Sequence, residues 1–402
     1  MISFPRPAQN IKVLRRSQND QMPTVNTITT LFIHPIVPEP SMPRCPPLAY
    51  NQTKRPNPAM TQRHRPAPIP DQPNPERLDR FMARANAIYY ATHDPFADFT
   101  TSPEISQVFG EVIGLWAAVT WGLLGSPNPV SLVEPGPGRG TLMADALRAI
   151  QRAAPDFAAA LTVHLIETSP RLRAVQASRL PTATWHDDLD TVPDQPMILV
   201  ANEFLDALPI RQFVRRGTGW TERFVTAGVW TEQPADPADV PKGRVTTEGA
   251  IVEVNEPARA FIADIAGRFQ RHPGAALFLD YGPERSAAGD SLQALADRRS
   301  VNSLSPPGSA DLTAHVDFAD LAVIARTQGA SVQGPVPQGP FLTALGLFQR
   351  TERLARGRSP EEASALVGSA RRLVEQAAMG QLFKVMAVCS ASCPPLPGLV
   401  VA

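Results

Sequence analysis

Val133-Glu134-Pro135-Gly136-Pro137-Gly138-Arg139-Gly140-Thr141 decides the fold of this chain. A short apolar strand runs into a tight turn with glycine at alternate positions. A helix, expected over residues 141–150, follows. Glycine is required where the backbone takes a positive φ or lies against a ligand with no room for a Cβ. The helix behind the turn offers free N–H groups and the positive end of its dipole. Doubly wound α/β folds hold nucleotide-like ligands on such strand–turn–helix units. The spacing here is G-x-G-x-G, whereas dinucleotide binders use G-x-G-x-x-G. The third glycine of that fingerprint would fall at Thr141, which argues against a dinucleotide-dependent oxidoreductase.

Around this unit, strand and helix signals alternate. Strands are expected at 131–134, 161–167, 183–186, 197–202 and 275–280, with a last one at Leu382-Phe-Lys-Val-Met-Ala-Val-Cys389. The alternation predicts a mostly parallel sheet with helices on both faces. A β-rich insertion, 210–271, includes a hairpin; a second insertion spans 290–380, helical from 341 to 379. Ahead of the core, Leu78, Phe81 and Met82 fall at helical spacing. Ser102 is the expected N-cap of a helix reaching about residue 124, with Pro103 at its first position. Residues 1–75 hold 16 of the 43 prolines and no periodicity, and read as a disordered extension. The expected organisation is therefore an extension (1–75), a helical segment with a lid (76–125), the main domain (126–390) and a flexible tail (391–402). Met60 is an alternative start.

Composition narrows the function. The 38 basic and 38 acidic residues give a net charge of +0, so nothing global favours nucleic acid or an anionic membrane. No apolar run reaches the roughly 18 residues of a membrane helix. Three cysteines, Cys45, Cys389 and Cys393, suit a reducing compartment, and no His or Cys cluster has metal-ligand spacing. Arg6, Lys12, Arg15 and Arg16 precede the first acid, Asp20. A mitochondrial presequence and an unstructured upstream extension of a bacterial protein both accommodate this. The expected location is the bacterial cytoplasm, or the mitochondrial matrix in a eukaryote. Homodimerisation stays open.

Acids gather where the ligand of an α/β sheet belongs, beyond the carboxyl ends of the strands. Glu134, Glu167, Asp187 with Asp188, Glu203 with Asp206, and Asp280 each end or follow a strand. Such a cleft attracts cations and repels phosphate. S-adenosylmethionine, whose amino and sulfonium groups are both positive, is the cofactor that fits. Gly136, Gly138, Gly140 and Thr141 then cradle it, Glu134 faces its charge, and Glu167 accepts from the ribose hydroxyls. Asp187 and Asp188 either contact the adenine amino group or cap a helix. At the fourth strand end, Asn202, Glu203 and Asp206 are positioned to grip a planar cationic substrate such as an arginine side chain. Asn202-Glu203-Phe204 also occupies the place of an N-P-P-Y-type motif, without the prolines, which keeps a small-molecule or amide N-methyltransferase in view. His315, in Asp311-Leu-Thr-Ala-His-Val-Asp-Phe318, is a candidate base or a structural histidine.

Several longer stretches carry a resemblance. Phe99-Thr-Thr-Ser-Pro-Glu-Ile-Ser-Gln-Val-Phe-Gly-Glu111, Glu134-Pro-Gly-Pro-Gly-Arg-Gly-Thr-Leu142, Ala201-Asn-Glu-Phe-Leu-Asp-Ala-Leu-Pro209, Leu279-Asp-Tyr-Gly282 and Leu312-Thr-Ala-His-Val-Asp-Phe318 occur in order, followed by Gln338-Gly-Pro-Phe-Leu342 and Met379-Gly-Gln-Leu-Phe-Lys-Val385. Over about residues 76–390 the chain resembles the MidA-like S-adenosylmethionine-dependent methyltransferases. The resemblance implies a class I, Rossmann-like methyltransferase fold and a lid, residues 90–104 with Pro103, over the cofactor. It further implies symmetric dimethylation of an arginine on a core subunit of respiratory complex I, or an assembly factor that binds the cofactor without turnover. The stretch Arg298-Arg-Ser-Val-Asn-Ser-Leu-Ser-Pro-Pro-Gly308 departs from the family's shorter, more hydrophobic link.

Overall fold

The computed structural model describes residues 74–93, 98, 100–240 and 247–399, all within one unit spanning Ile69–Ala402. The expected extension lies outside the described residues up to residue 73, as do lid positions 94–97 and 99.

β1 (Glu76–Arg77) leads into α1 (Leu78–Thr92), which buries Leu78, Phe81, Met82, Ala85 and Tyr89 along one face. The next helix differs from expectation. It is split into α2 (Ser102–Ile105) and α3 (Gln107–Leu123). Ser106 interrupts it in an extended conformation, φ −154° and ψ 125°, and its hydroxyl accepts from the Val108 N–H. Serine gains more by capping than by continuing a helix, which explains the break. Thr101, not Ser102, is the N-cap of α2.

The core then alternates: β2 (Val130–Pro135), α4 (Thr141–Ala153), α5 (Pro155–Ala160), β3 (Leu161–Ile166), α6 (Pro170–Arg179), β4 (Thr184–His186) and β5 (Met197–Asn202). β6 (Arg211–Arg216), β7 (Gly219–Thr226), β8 (Val229–Pro234) and β9 (Ile251–Val254) form an antiparallel sheet with β1, larger than the single hairpin expected. α7 (Glu256–Phe269) and β10 (Gly274–Tyr281) return the chain to the core. β11 (Gln293–Ala296), β12 (Arg299–Val301) and β13 (Asp311–Thr313) make a small third sheet. The chain closes with α8 (Phe318–Thr327), β14 (Ser331–Pro337), α9 (Gln338–Ala344), α10 (Leu347–Ala355), α11 (Pro360–Val374), α12 (Met379–Leu382) and β15 (Phe383–Cys389).

The central sheet has the order β14-β15-β10-β5-β2-β3-β4. β10, β5, β2, β3 and β4 run parallel, and β15 runs against both its neighbours. Successive side chains on a strand point to opposite faces. Leu132, Ile198 and Val200 therefore join α3 and α4 in one core, while Val133, Leu199 and Ala201 join α7 and α8 in the other. Burial on both faces explains the unbroken apolar runs of these strands. From β4 the chain jumps back across the sheet to β5. The order reverses beside β2, which opens a crevice at the carboxyl ends of β2 and β5.

Two expectations are corrected. β14 carries Pro335 and Pro337 and was not expected; it is the sheet's edge strand, with a register shift between Gln333 and Val336, where missing N–H groups are tolerated. It and α8 belong to the core layers although they fall in the expected 290–380 insertion. Residues 391–399 are no loose tail. Leu396 and Leu399 are buried in the core, and Gln333 bonds the Pro394 carbonyl and the Leu396 N–H at 3.0 and 2.8 Å. Among the described residues no helix is long and apolar enough to cross a membrane.

Leu396 is 1% exposed. Leu396→Ala should lower stability by about 2–5 kcal/mol in chemical denaturation. A change below about 0.5 kcal/mol, the level of an ordinary surface site, would show that the terminal segment is not part of the core.

Candidate active site

The turn after β2 has the backbone its glycines predict. Gly136 lies at φ +61°, and a Cβ there would sit 2.9 Å from the Phe204 ring. Gly140, at φ +74°, is the N-cap of α4. The turn forms one wall of a cavity of about 800 Å³ across the ends of β2, β3, β4 and β5. Among the described residues, Glu104, Glu134, Glu167, Asp187, Asp188, Asp190, Glu203 and Asp264 line it, against one basic residue, Arg139.

Glu134 is 3% exposed at the end of β2. The Met143 N–H, in the first turn of α4, bonds its carboxyl, and its Oε2 is buried with no partner. Burial pushes its pKa up to about 8, against the smaller opposing effect of that N–H. Glu167 is held on both oxygens: Ser169 N–H donates to Oε1 at 2.8 Å and Gln176 Nε2 to Oε2 at 3.2 Å. Gln176 also donates to the Gly138 carbonyl at 2.8 Å, tying the two turns together. Burial raises the pKa of Glu167 as well. The Thr141 hydroxyl donates to Glu104 at 2.6 Å, and Arg179 donates to that hydroxyl at 2.6 Å.

Glu203 follows β5 with φ +50°, a left-handed conformation rare for a side chain of its size. Its Oε1 accepts from the Ser102 N–H at 2.9 Å and from Asn202 Nδ2 at 3.1 Å. Asn202 keeps a buried Oδ1 with no partner. Burial raises the pKa of Glu203.

The cavity thus brings together Glu134, Gly136, Gly138, Thr141, Glu167, Asp187, Asp188, Asn202, Glu203 and Pro103. Asp187 pairs with Arg173 at 2.7 Å, and Asp188 caps a local turn through the Thr191 N–H at 3.1 Å. Gly140 stands behind the wall. Three further expected residues do not line the cavity either. Asp206, 6% exposed, turns behind the loop towards Tyr281, because the left-handed Glu203 redirects the chain; burial and the Glu203 charge push its pKa up to about 7. Asp280, 1% exposed, faces the amides of residues 204–206. His315 is exposed and sets its ring edge-on to Tyr281, 5.5 Å between centroids. Sequence reasoning missed Glu104, Asp190 and Asp264. Asp264 carries a signal: Pro257, Ala260, Phe261 and Asp264 share one helical face, and all four line the cavity.

The family model described as "Putative S-adenosyl-L-methionine-dependent methyltransferase" matches residues 112–336. The chain belongs to that family. It is a methyltransferase whose cofactor is S-adenosyl-L-methionine, as the turn and the acids around it require. The chain is 32% identical over 358 residues to "Protein arginine methyltransferase NDUFAF7 homolog, mitochondrial" of Drosophila melanogaster, covering 79% of this chain and 81% of the relative. It is 33% identical over 337 residues to the Danio rerio protein arginine methyltransferase NDUFAF7, covering 75% and 79%. A crystal structure of a Burkholderia thailandensis protein bound to S-adenosyl-homocysteine shares the fold, with a TM-score of 0.67, 24% identity, and coverage of 82% of this chain and 89% of that one.

The residues fit the cofactor. A buried carboxyl oxygen without a partner and a turn that excludes Cβ atoms suit a ligand bearing an ammonium group. Binding a cation stabilises the charged form of Glu134, so a proton leaves as the ligand enters. The affinity for S-adenosylhomocysteine should therefore rise with pH between about 6 and 8 and level off above. Without ligand, the folded chain holds a proton that the unfolded chain has lost, so stability should fall as pH rises from 4.5 towards 8. Calorimetry in buffers of different ionisation enthalpy checks the proton release; Glu134→Gln should abolish it. Equal proton release by Glu134→Gln would assign the effect to another group.

Proposed function

We propose that this chain is a protein arginine N-methyltransferase producing symmetric dimethylarginine on a subunit of respiratory complex I, in the mitochondrial matrix or the bacterial cytoplasm. One observation carries the reading: among the described residues, eight carboxyl side chains and one basic side chain line the cavity, in a chain of net charge +0. That field selects a cationic substrate and disfavours phosphate-bearing ones. The names of the relatives, protein arginine methyltransferases labelled mitochondrial, support it.

Bound S-adenosylmethionine supplies a methyl group made electrophilic by its positive sulfur. Glu134, Glu167 and the turn at Gly136 and Gly138 would hold that cofactor, with Thr141, Pro103, Asp187 and Asp188 lining the same cavity. The substrate guanidinium enters protonated, since its pKa exceeds 12. The Oδ1 of Asn202 and the carboxylate of Glu203 would grip it and orient one nitrogen for transfer. To be methylated, that nitrogen would have to shed a proton. Glu203 is the acceptor, and its raised pKa suits the task. Asp206 is not the second arm of the clamp; it stands behind Glu203, whose charge together with burial pushes the Asp206 pKa up.

The test uses tritiated S-adenosylmethionine and complex I purified from cells lacking this chain as acceptor, with mass spectrometry of the products. Dimethylated arginine is expected. Glu203→Gln should slow transfer about 10²- to 10⁴-fold and leave S-adenosylhomocysteine affinity within about threefold. Binding without transfer would favour an assembly factor, and label confined to small amides a small-molecule N-methyltransferase.

A further inference from the structure

We propose that Asp280 is a positioning residue for methyl transfer: its carboxylate holds the loop 203–206 in the backbone conformation that aims Glu203 into the cavity. The proposal rests on the assignment of Glu203 to the substrate, made above. Asp280 sits at the end of β10, almost fully buried and outside the cavity lining. Its Oδ2 accepts from three consecutive N–H groups, Phe204 at 3.2 Å, Leu205 at 3.0 Å and Asp206 at 3.3 Å. Its Oδ1 accepts from the Tyr281 N–H at 2.9 Å. Consecutive amides converging on one oxygen form a nest, a geometry that favours a carboxylate oxygen as their common acceptor.

The carbonyls of the same loop are fixed from elsewhere. Asn255 Nδ2 donates to Leu205 and Leu208 at 3.2 and 3.1 Å, the Ala314 N–H to Asp206 at 2.9 Å, and Asn86 Nδ2 to Ala207 at 3.1 Å. The Glu203 N–H donates to Leu279 at 2.9 Å. Three elements share the carbonyls, but one carboxylate collects the three amides. Its loss frees all of them at once, right after the left-handed Glu203. A third buried acid beside Glu203 and Asp206 is electrostatically adverse. The fold tolerates it because no neutral side chain accepts four N–H bonds without presenting a donor of its own.

The test is a double-mutant cycle on the full chain, with the tritium assay and complex I acceptor described above. Asp280→Asn keeps the shape and one acceptor oxygen. It should lower kcat about 10²-fold while S-adenosylhomocysteine affinity stays within about threefold. Glu203→Gln/Asp280→Asn should be no more than about threefold slower than Glu203→Gln alone, because one effect passes through the other. Asp280→Glu, with its oxygens displaced by one methylene, should show the same selective loss. Multiplying effects, a wild-type kcat in Asp280→Asn, or loss of cooperative unfolding in both Asp280 variants would overturn the proposal. A wild-type rate for Glu203→Gln alone would instead remove the underlying assignment of Glu203.

Discussion

A carboxyl group taken out of water at the end of β2, and only partly hydrogen-bonded, sets the terms for the whole site. An ionised carboxylate in such a place is costly unless a cation or several donors meet it. Among the described residues Glu134 has one backbone N–H from α4 and no cationic partner, and burial pushes its pKa up to about 8. The strain is relieved by a cationic ligand. The parallel sheet exists, in this sense, to hold that group where a small positive molecule reaches it from one side only. The reversal of strand order beside β2 opens that side.

The same logic extends over the cavity. Glu167 is immobilised by Ser169 and Gln176, and Glu203 by Ser102 and Asn202. The short segment at Ser102–Ile105 joins the two halves. Its Ser102 N–H meets Glu203, and its Glu104 meets Thr141 at the start of α4. Cofactor turn and substrate loop are therefore tied through one stretch of chain. Above it, α1 is fixed by Asn86, whose amide bonds both Ala207 and Leu312, and by the Tyr90 hydroxyl on Asp311. Burial pushes the Asp311 pKa up to about 7, against the opposing effect of the Tyr90 hydroxyl.

The parts legible in the sequence are those encoded over short distances. The turn from Glu134 to Thr141 announces itself because positive φ and close packing demand glycine at fixed positions. Strands β2, β5, β10 and β15 show as apolar runs because both their faces are covered. Strand β14 was hidden by two prolines that only an edge position permits. The break at Ser106 was hidden because a cap and a helix interior tolerate the same residue. Side-chain direction was the least legible property. Glu203 and Asp206 follow the end of β5, yet one left-handed residue turns the first into the cavity and the second behind it, while Asp280, inside β10, faces the amides of that loop. Asp190 and Asp264 reach the cavity through tertiary approach, which strand-end logic does not anticipate.

The most direct measurement of the central claim is a crystal structure of the chain with S-adenosylhomocysteine. The ligand's amino group should lie on the Glu134 carboxyl and its ribose on Glu167, against the turn at Gly136 and Gly138. A nucleoside seated elsewhere, with Glu134 untouched, would contradict it.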